Sequence, residues 1–436
     1  MAGNGEAVVV LGGGIVGLCT ALALQDRGVA VTLVDRDAPG EMTSSGNTGV
    51  LVENPWLGLA SPGLWRRLPG LLAGRSPVVR VAPGFALRRP ALMARLLAAS
   101  LRRDALVRTL ALHALVRRSQ RLHLERIAQA GAGDLLRRTG WLKLFRTPAG
   151  MAAHAAERAL WVKTRTAHRT LTPADLAGLE PGLRPGLAGG VLLEDAASVS
   201  SPLALSRRYL ALFLARGGRV ERLAVTALRH DGGPWALHHA GGRLDAGRVV
   251  LAAGPWSADL LRPLGLDVPL FWERGYHLHL TPGAGPGPLR PIHDVERGYV
   301  MTPQAQGVRV TSGVELAHRD AAPDRRQVDA AAAAARDLAG LGPPVEAEPW
   351  LGSRPSLPDG LPAIGAAPGL PGLWLNFGHH HIGLSLAPGS AEMLAGLMAA
   401  AATPAATAPD PAPFDPARLV RPARPARPAA ATGVPA

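Results

Sequence analysis

The chain has 436 residues, 47% hydrophobic and 18% charged, which excludes an intrinsically disordered protein and leaves room for two domains with substantial cores. The net charge of +14 is carried almost wholly by arginine, since Lys143 and Lys163 are the only lysines. Dispersed arginine in an Ala-, Gly- and Pro-rich chain argues against a specific nucleic-acid surface, while leaving weak association with anionic membrane or acidic partners open.

Val8 to Leu11 read as a buried parallel-type strand, followed by a glycine turn and a helix running through Leu24. The apolar run from Ala7 to Leu24 lacks the basic flank and cleavage site of a signal peptide. Cys19, the single cysteine, falls inside this helix as an inert buried thiol, so no intrachain disulfide forms and a reducing, cytoplasmic setting fits. Gly28 ends the helix, and 31–34 form a second strand closed by Asp35. Residues 52–95 are irregular, 91–130 helical with arginines on the outer face, 140–147 a strand and 171–183 a short helix. A second α/β stretch begins near Ser201, with a helix ended by Gly217-Gly218 and then strands at about 219 and 248. Strand-like segments fill 266–316, an Ala-rich helix 327–340, and strand, loop and helix 370–402. From Thr403 the composition predicts an extended or disordered tail. No stretch of about 18 apolar residues is free of charges or breakers, so no membrane-spanning helix is expected.

Gly12, Gly14 and Gly17 form G-x-G-x-x-G between strand and helix. The first permits the tight turn, the second admits a pyrophosphate close to the backbone, and the third lets helix pack on strand. Ile15 and Val16 then open the helix whose free N–H groups face that phosphate. Asp35 stands 18 residues after Gly17, where a carboxylate accepts ribose hydroxyls. It disfavours NADP, despite Arg36 beside it, and leaves NAD and FAD. The fold class is therefore α/β with a Rossmann-like, discontinuous dinucleotide domain (1–55, 190–265 and 345–402). Residues 56–189 and 266–344 form a substrate domain on a mixed or antiparallel sheet.

Four segments in order resemble the FAD-dependent D-amino-acid oxidase and dehydrogenase family, particularly the bacterial D-amino-acid dehydrogenases. These are the fingerprint, "TSSGNTGVL" (43–51), "VLAAGPWSADLL" (250–261), and "GSRPSLPDGLPAIG" with "LWLNFGHHHIGLSLAPGS" (352–365 and 373–390). The resemblance implies FAD contacts at Ser44, Asn47, Gly49, Val225, Ala253, Gly254, Trp256, Arg274, Gly275, Gly378, His379, Gly383, Leu384 and Ser385, besides the fingerprint, Asp35 and Arg36. With no histidine before His113 and one helical cysteine, the FAD is expected to be noncovalent. The resemblance also implies that hydride passes from Cα of a D-amino acid to flavin N5, the imine hydrolysing to a 2-oxo acid and ammonia. Arg354 would clamp the carboxylate, as a bidentate cation should, with Tyr299 hydrogen-bonded to it and Tyr276 a further pocket residue. "ERGYH" and "GHHHIGL" depart from the D-alanine-directed pattern. D-proline, D-hydroxyproline and N-methylglycine-type amines therefore stay open as substrates. A quinone or protein carrier is the expected acceptor, with oxygen open, and homo- or hetero-oligomers and a peripheral place on the inner membrane are compatible. A noncatalytic flavin-binding subunit is the remote alternative.

His277 and His279 share a strand face with Gly275, opposite Tyr276, and carry no assigned catalytic role. Asp359 in "PDG" is a turn residue. His379, His380 and His381 cannot converge on one ion from a strand or a helix, and no metal is expected. They read as a flavin-edge loop opening the last helix, with Pro388 in that helix's first turn.

Overall fold

The computed structural model describes residues 7–52, 59, 61, 63–74, 76–399, 409–419 and 421–422. Two large sheets organise them. The first is six-stranded, in the order Arg219–Arg222, Val31–Asp35, Val8–Leu11, Arg248–Leu251, Leu373–Phe377, Ala363–Ala366. All neighbours are parallel except the last pair. Val8–Leu11 lies near the centre and is buried throughout, which is why it is a run of four apolar residues rather than an alternating one. The Ile15–Gln25 helix follows and buries nine of its eleven residues. Gly17 allows this: a Cβ there would lie 1.7 Å from the Gly12 carbonyl oxygen.

The second sheet runs Val79–Val81, Val314–Leu316, Phe271–Leu280, Gly307–Thr311, Tyr299–Gln304, Ile292–Asp294, Trp141–Phe145, Gly189–Leu193, His168–Leu171, with Trp350–Ser356 paired to Phe271–Leu280. The Arg326–Ala339 helix covers one face, over a core that includes Tyr276, Leu278, Tyr299, Met301 and Val310. The opposite face turns toward the nucleotide sheet.

The expected boundaries at 190 and 345 cut across strand partners. Gly189–Leu193 pairs with Trp141–Phe145, and Trp350–Ser356 pairs with Phe271–Leu280, so both run in the large sheet. Ala105–Gln129, expected with the substrate domain, packs instead on the Gly383–Ala399 helix. That last helix, with the turn before it, is apolar and long enough to cross a bilayer, against expectation. It is mostly buried, against Ile15–Gln25 on one side and Ala105–Gln129 on the other, as a core helix.

Pro388 is also displaced from its expected place. The helix begins at Gly383, so the proline lies in the second turn, where it withholds the N–H that Leu384 O would receive. His123 replaces that donor: its Nε2 is 2.6 Å from Leu384 O and its Nδ1 3.0 Å from the Tyr209 hydroxyl.

Of the tail expected to be extended or disordered, 409–419 and 421–422 are described and the rest lies outside the described residues. Residues 409–419 dock on the nucleotide sheet with Phe414 fully buried. Arg418 binds the Asp359 carboxylate at 2.8 Å and the carbonyls of Leu361 and Pro362 at 2.8 and 3.0 Å. Phe414 and Arg418, with Leu419 in a second core cluster, hold a segment whose composition reads as linker.

Candidate active site

A cavity of about 380 Å³ runs from the glycine turn to the strand carrying Arg354. At its first end Gly12 has φ 116°, and a Cβ there would lie 2.3 Å from Ala252 O, so the turn accepts only glycine. Asp35 fixes the turn: its Oδ2 accepts from Gly13 N at 2.5 Å and its Oδ1 from Asp37 N at 3.0 Å. Ser44 accepts from Ile15 N at 2.9 Å and so ties the following loop to the helix N-terminus. Asn47 holds the same loop to the C-terminal segment, its Nδ2 donating to His381 O at 3.3 Å and its Oδ1 accepting from Gly49 N at 2.9 Å. Arg309 clamps the loop from below, donating to Ser45 O and Asn47 O at 2.8 and 2.6 Å.

The other end is built on the face of Phe271–Leu280 that carries Glu273, Gly275, His277 and His279. Glu273 is registered against Arg354, Gly275 against Gly352 and His277 against Trp350. The Arg354 guanidinium lies over Gly275, where a Cβ would meet its Nη2 at 2.1 Å, and it donates to Gly313 O at 3.2 Å. Enclosure lowers the Arg354 pKa, and Glu273 opposes that. Burial raises Glu273 to about 7, against the pull of Arg354. Trp350 stacks on His277 with ring centres 4.9 Å apart and lies against Gly46, where a Cβ would meet the indole at 2.0 Å. His279 pairs with Glu346 and receives Arg309 Nε at 3.1 Å.

The three histidines diverge. His379 is buried and bonds Ser390 Oγ at 3.0 Å, and its burial pushes the ring down to about 3. His380 takes φ 53°, one of two non-glycine residues with positive φ among those described. His381 is exposed toward the cavity, where its crowded surroundings and then Arg354 hold it near 3. Gly383 and Leu384 bring the start of the last helix to the same wall.

Of the residues expected from sequence, Gly12, Gly14, Ile15, Val16, Asp35, Arg36, Ser44, Asn47, Val225, Ala253, Gly254, Trp256, Gly275, Tyr276, Arg354, His379, Gly383 and Leu384 line the cavity. Six do not. Gly17, Gly49 and Gly378 are backbone packing positions, against Gly12 O, Val199 O and Leu357. Ser385 is spent joining Val50 O and Val52 N, at 3.1 Å each. Arg274 points to the opposite face, fully buried beside Glu315 and the Tyr276 hydroxyl. Tyr299 follows the same logic: Val300 pairs with Thr311, which lines the cavity, so its neighbour Tyr299 faces the other way into the core. Tyr276 reaches the cavity wall, but its hydroxyl is occupied by Glu315 Oε2 at 2.7 Å, Arg274 Nη2 at 3.2 Å and Asp324 N at 2.9 Å. The sequence reading missed Gly46, Thr311, Trp350 and Gly352. Strand alternation signalled the face of His277, but not the partner strand that faces it.

A nucleotide-binding glycine turn and an arginine-bearing antiparallel sheet on two walls of one cavity define a dinucleotide-dependent oxidoreductase. Residues 7–397 match the model of the family described as FAD dependent oxidoreductase. The chain is 32% identical to D-amino acid dehydrogenase 2 of Ralstonia nicotianae, over 92% of this chain and 98% of that one. It is 29% identical to the D-amino-acid oxidase of Bradyrhizobium diazoefficiens, over 87% and 92%. The crystal structure of glycine oxidase from Geobacillus kaustophilus superposes with a TM-score of 0.71 at 22% identity, covering 95% of this chain and 99% of that one. The chain belongs to the FAD dependent oxidoreductase family, and its cofactor is FAD. The residues fit that group: the Gly12 turn has no room for a side chain, Asp35 closes the second strand, and Gly46 and Gly275 let Trp350 and Arg354 lie close against the far end of the cavity.

Proposed function

We propose that the protein oxidatively deaminates a D-amino acid and passes the electrons to a quinone or protein carrier. The carrying observation is the Arg354 guanidinium, laid over Gly275 in the same cavity that the glycine turn and Asp35 begin. FAD, when bound, accepts the hydride from Cα; the protein holds and orients the substrate, and positioning dominates such a reaction. Arg354 is the carboxylate partner, and the Gly313 carbonyl, accepting from its Nη1 at 3.2 Å, holds that guanidinium before substrate arrives. The relatives named for D-amino acids support the choice of substrate class. FAD is held without a tether, since Cys19 is buried with its thiol pushed up to about 12 and the His379 ring is engaged by Ser390. Peripheral attachment to an anionic, cytoplasmic-face membrane is supported by residues 54–103, which contain nine arginines and no acid and expose Trp65, Leu87 and Leu101.

Anaerobic mixing of the yellow protein with D-amino acids, L-amino acids and N-alkyl glycines tests the reading. Bleaching is expected with D-amino acids; bleaching by L-amino acids or N-alkyl glycines alone would overturn it.

A further inference from the structure

Trp350, Gly352 and Arg354 stand on one face of their strand, registered in turn against His277, Gly275 and Glu273. Trp350, Gly352, Gly275 and Arg354 all line the cavity. The middle pair is bare backbone, and the two large side chains lie over it from either side. A Cβ on Gly275 would lie 2.1 Å from Arg354 Nη2, and one on Gly352 would lie 2.0 Å from Trp350 Cη2. Directly paired residues hold their Cβ positions about 4.5–5.5 Å apart, so the guanidinium and the benzo edge of the indole are neighbours, no more than about 10 Å apart even if each leans away from the other.

The indole has no room to swing aside. Its other side meets Gly46 of the loop after the second strand, where a Cβ would lie 2.0 Å from the same ring carbon. His277 stacks on it with ring centres 4.9 Å apart and planes 20° from parallel. His277 is itself buried and held edge-on by His279, 5.4 Å away between ring centres, which pairs with Glu346. A side chain packed from three sides in a close-packed interior is a fixed wall rather than a gate. A substrate whose carboxylate is bound at Arg354 has its Cα on the cavity side of that guanidinium, and any substituent directed along the strand from there runs into this indole.

We infer that Trp350 is a specificity-determining residue of the substrate site, a fixed wall that limits the length of the side chain a substrate carries. This rests on the reading of Arg354 as the carboxylate partner. Two residues of one strand then divide the work: Arg354 selects for a carboxylate, and Trp350 selects against bulk attached to it, so amino acids with short side chains are preferred.

The test is titration of the flavin-loaded protein, followed by its visible spectrum, with propanoate and with pentanoate, two carboxylates that have no amine to oxidise. Where there is room for them, two further methylenes should tighten binding about tenfold. In the wild type pentanoate is expected to bind no more tightly than propanoate. Trp350→Ala, which removes the wall, should bring out the tenfold preference for pentanoate, and Trp350→Leu, which shortens it, a preference of several-fold. Retained flavin absorbance shows that each variant is assembled, and Trp350→Leu, which keeps an apolar side chain against Gly46, carries the test if Trp350→Ala loses its flavin. A wild type that already prefers pentanoate as strongly as the variants do overturns the wall. So does a flavin-retaining variant with no preference for pentanoate, the result expected if another side chain bounds the site. Failure of the functional reading shows itself separately: Arg354→Ala would bind propanoate as tightly as the wild type does.

Discussion

Replacing His123 with leucine should be among the most damaging single changes outside the cavity. Leu384 O is acceptor-only, so the proton of His123 lies on Nε2 and Nδ1 accepts from the Tyr209 hydroxyl. Burial holds this ring neutral, with its pKa near 4. Leucine fills the space but strands the buried carbonyl freed by Pro388 and leaves the Tyr209 hydroxyl only the long 3.5 Å bond to the backbone carbonyl of residue 123. At about 1–3 kcal/mol each, the loss is about 2–6 kcal/mol, a large share of the ~5–15 kcal/mol that stabilises a typical protein. Pro388→Ala returns an N–H to Leu384 O, so in the His123→Leu background it should recover about 1–2 kcal/mol that it does not give the wild type. Urea denaturation of the four proteins, followed by circular dichroism, measures this coupling. Simple additivity of the two substitutions would refute the claim that His123 replaces the donor removed by Pro388.

Arg354→Ala should lower kcat/KM by about 10²–10³-fold, the worth of a charge-assisted bidentate contact, while the protein stays yellow; steady-state kinetics beside the visible spectrum check this. Stability should fall in mild acid. Burial holds His123, His277 and His379 near 4, 2 and 3, below the ordinary 6.5, so the folded state binds fewer protons than the unfolded chain. Their contribution is complete above pH 6.5 and is lost as pH falls toward 4, at up to about 1.4 kcal/mol per pH unit for each ring. A urea midpoint that stays level from pH 7 to 5 would contradict this. Gly46→Ala should weaken FAD retention, because a methyl group there meets the Trp350 indole at 2.0 Å; flavin content after gel filtration reports it. Arg418→Ala should cost about 1–3 kcal/mol by freeing the carbonyls of Leu361 and Pro362 and the Asp359 carboxylate, read as a lowered urea midpoint.

The glycine turn was legible because close approach leaves a compositional trace: no other residue fits at Gly12 or Gly17. Arg354 was legible from the pattern around it, and strand alternation placed His277 with Gly275 correctly. Tyr299 and Arg274 were not, because a motif position says nothing about which face a residue presents, and one step along a strand reverses it. The Tyr276 hydroxyl was lost to partners at 315 and 324, too distant in sequence for any local pattern to reveal. The same holds for Ser385, claimed by the backbone at 50 and 52. Composition misjudged 409–419, since it records the prolines and not the pocket that receives Phe414.

The order of the nucleotide sheet also governs when the protein can exist at all. Val8–Leu11 is synthesised before Arg248–Leu251, and Leu373–Phe377 must then join beside Arg248–Leu251 before the sheet is complete. At ~5–20 residues per second, roughly 20–75 s separate those two events. During that interval the glycine turn has no far wall and the nascent chain cannot close a flavin cavity. A flavin cavity therefore closes only after Leu373–Phe377 has been made, about 360 residues behind the strand that begins it.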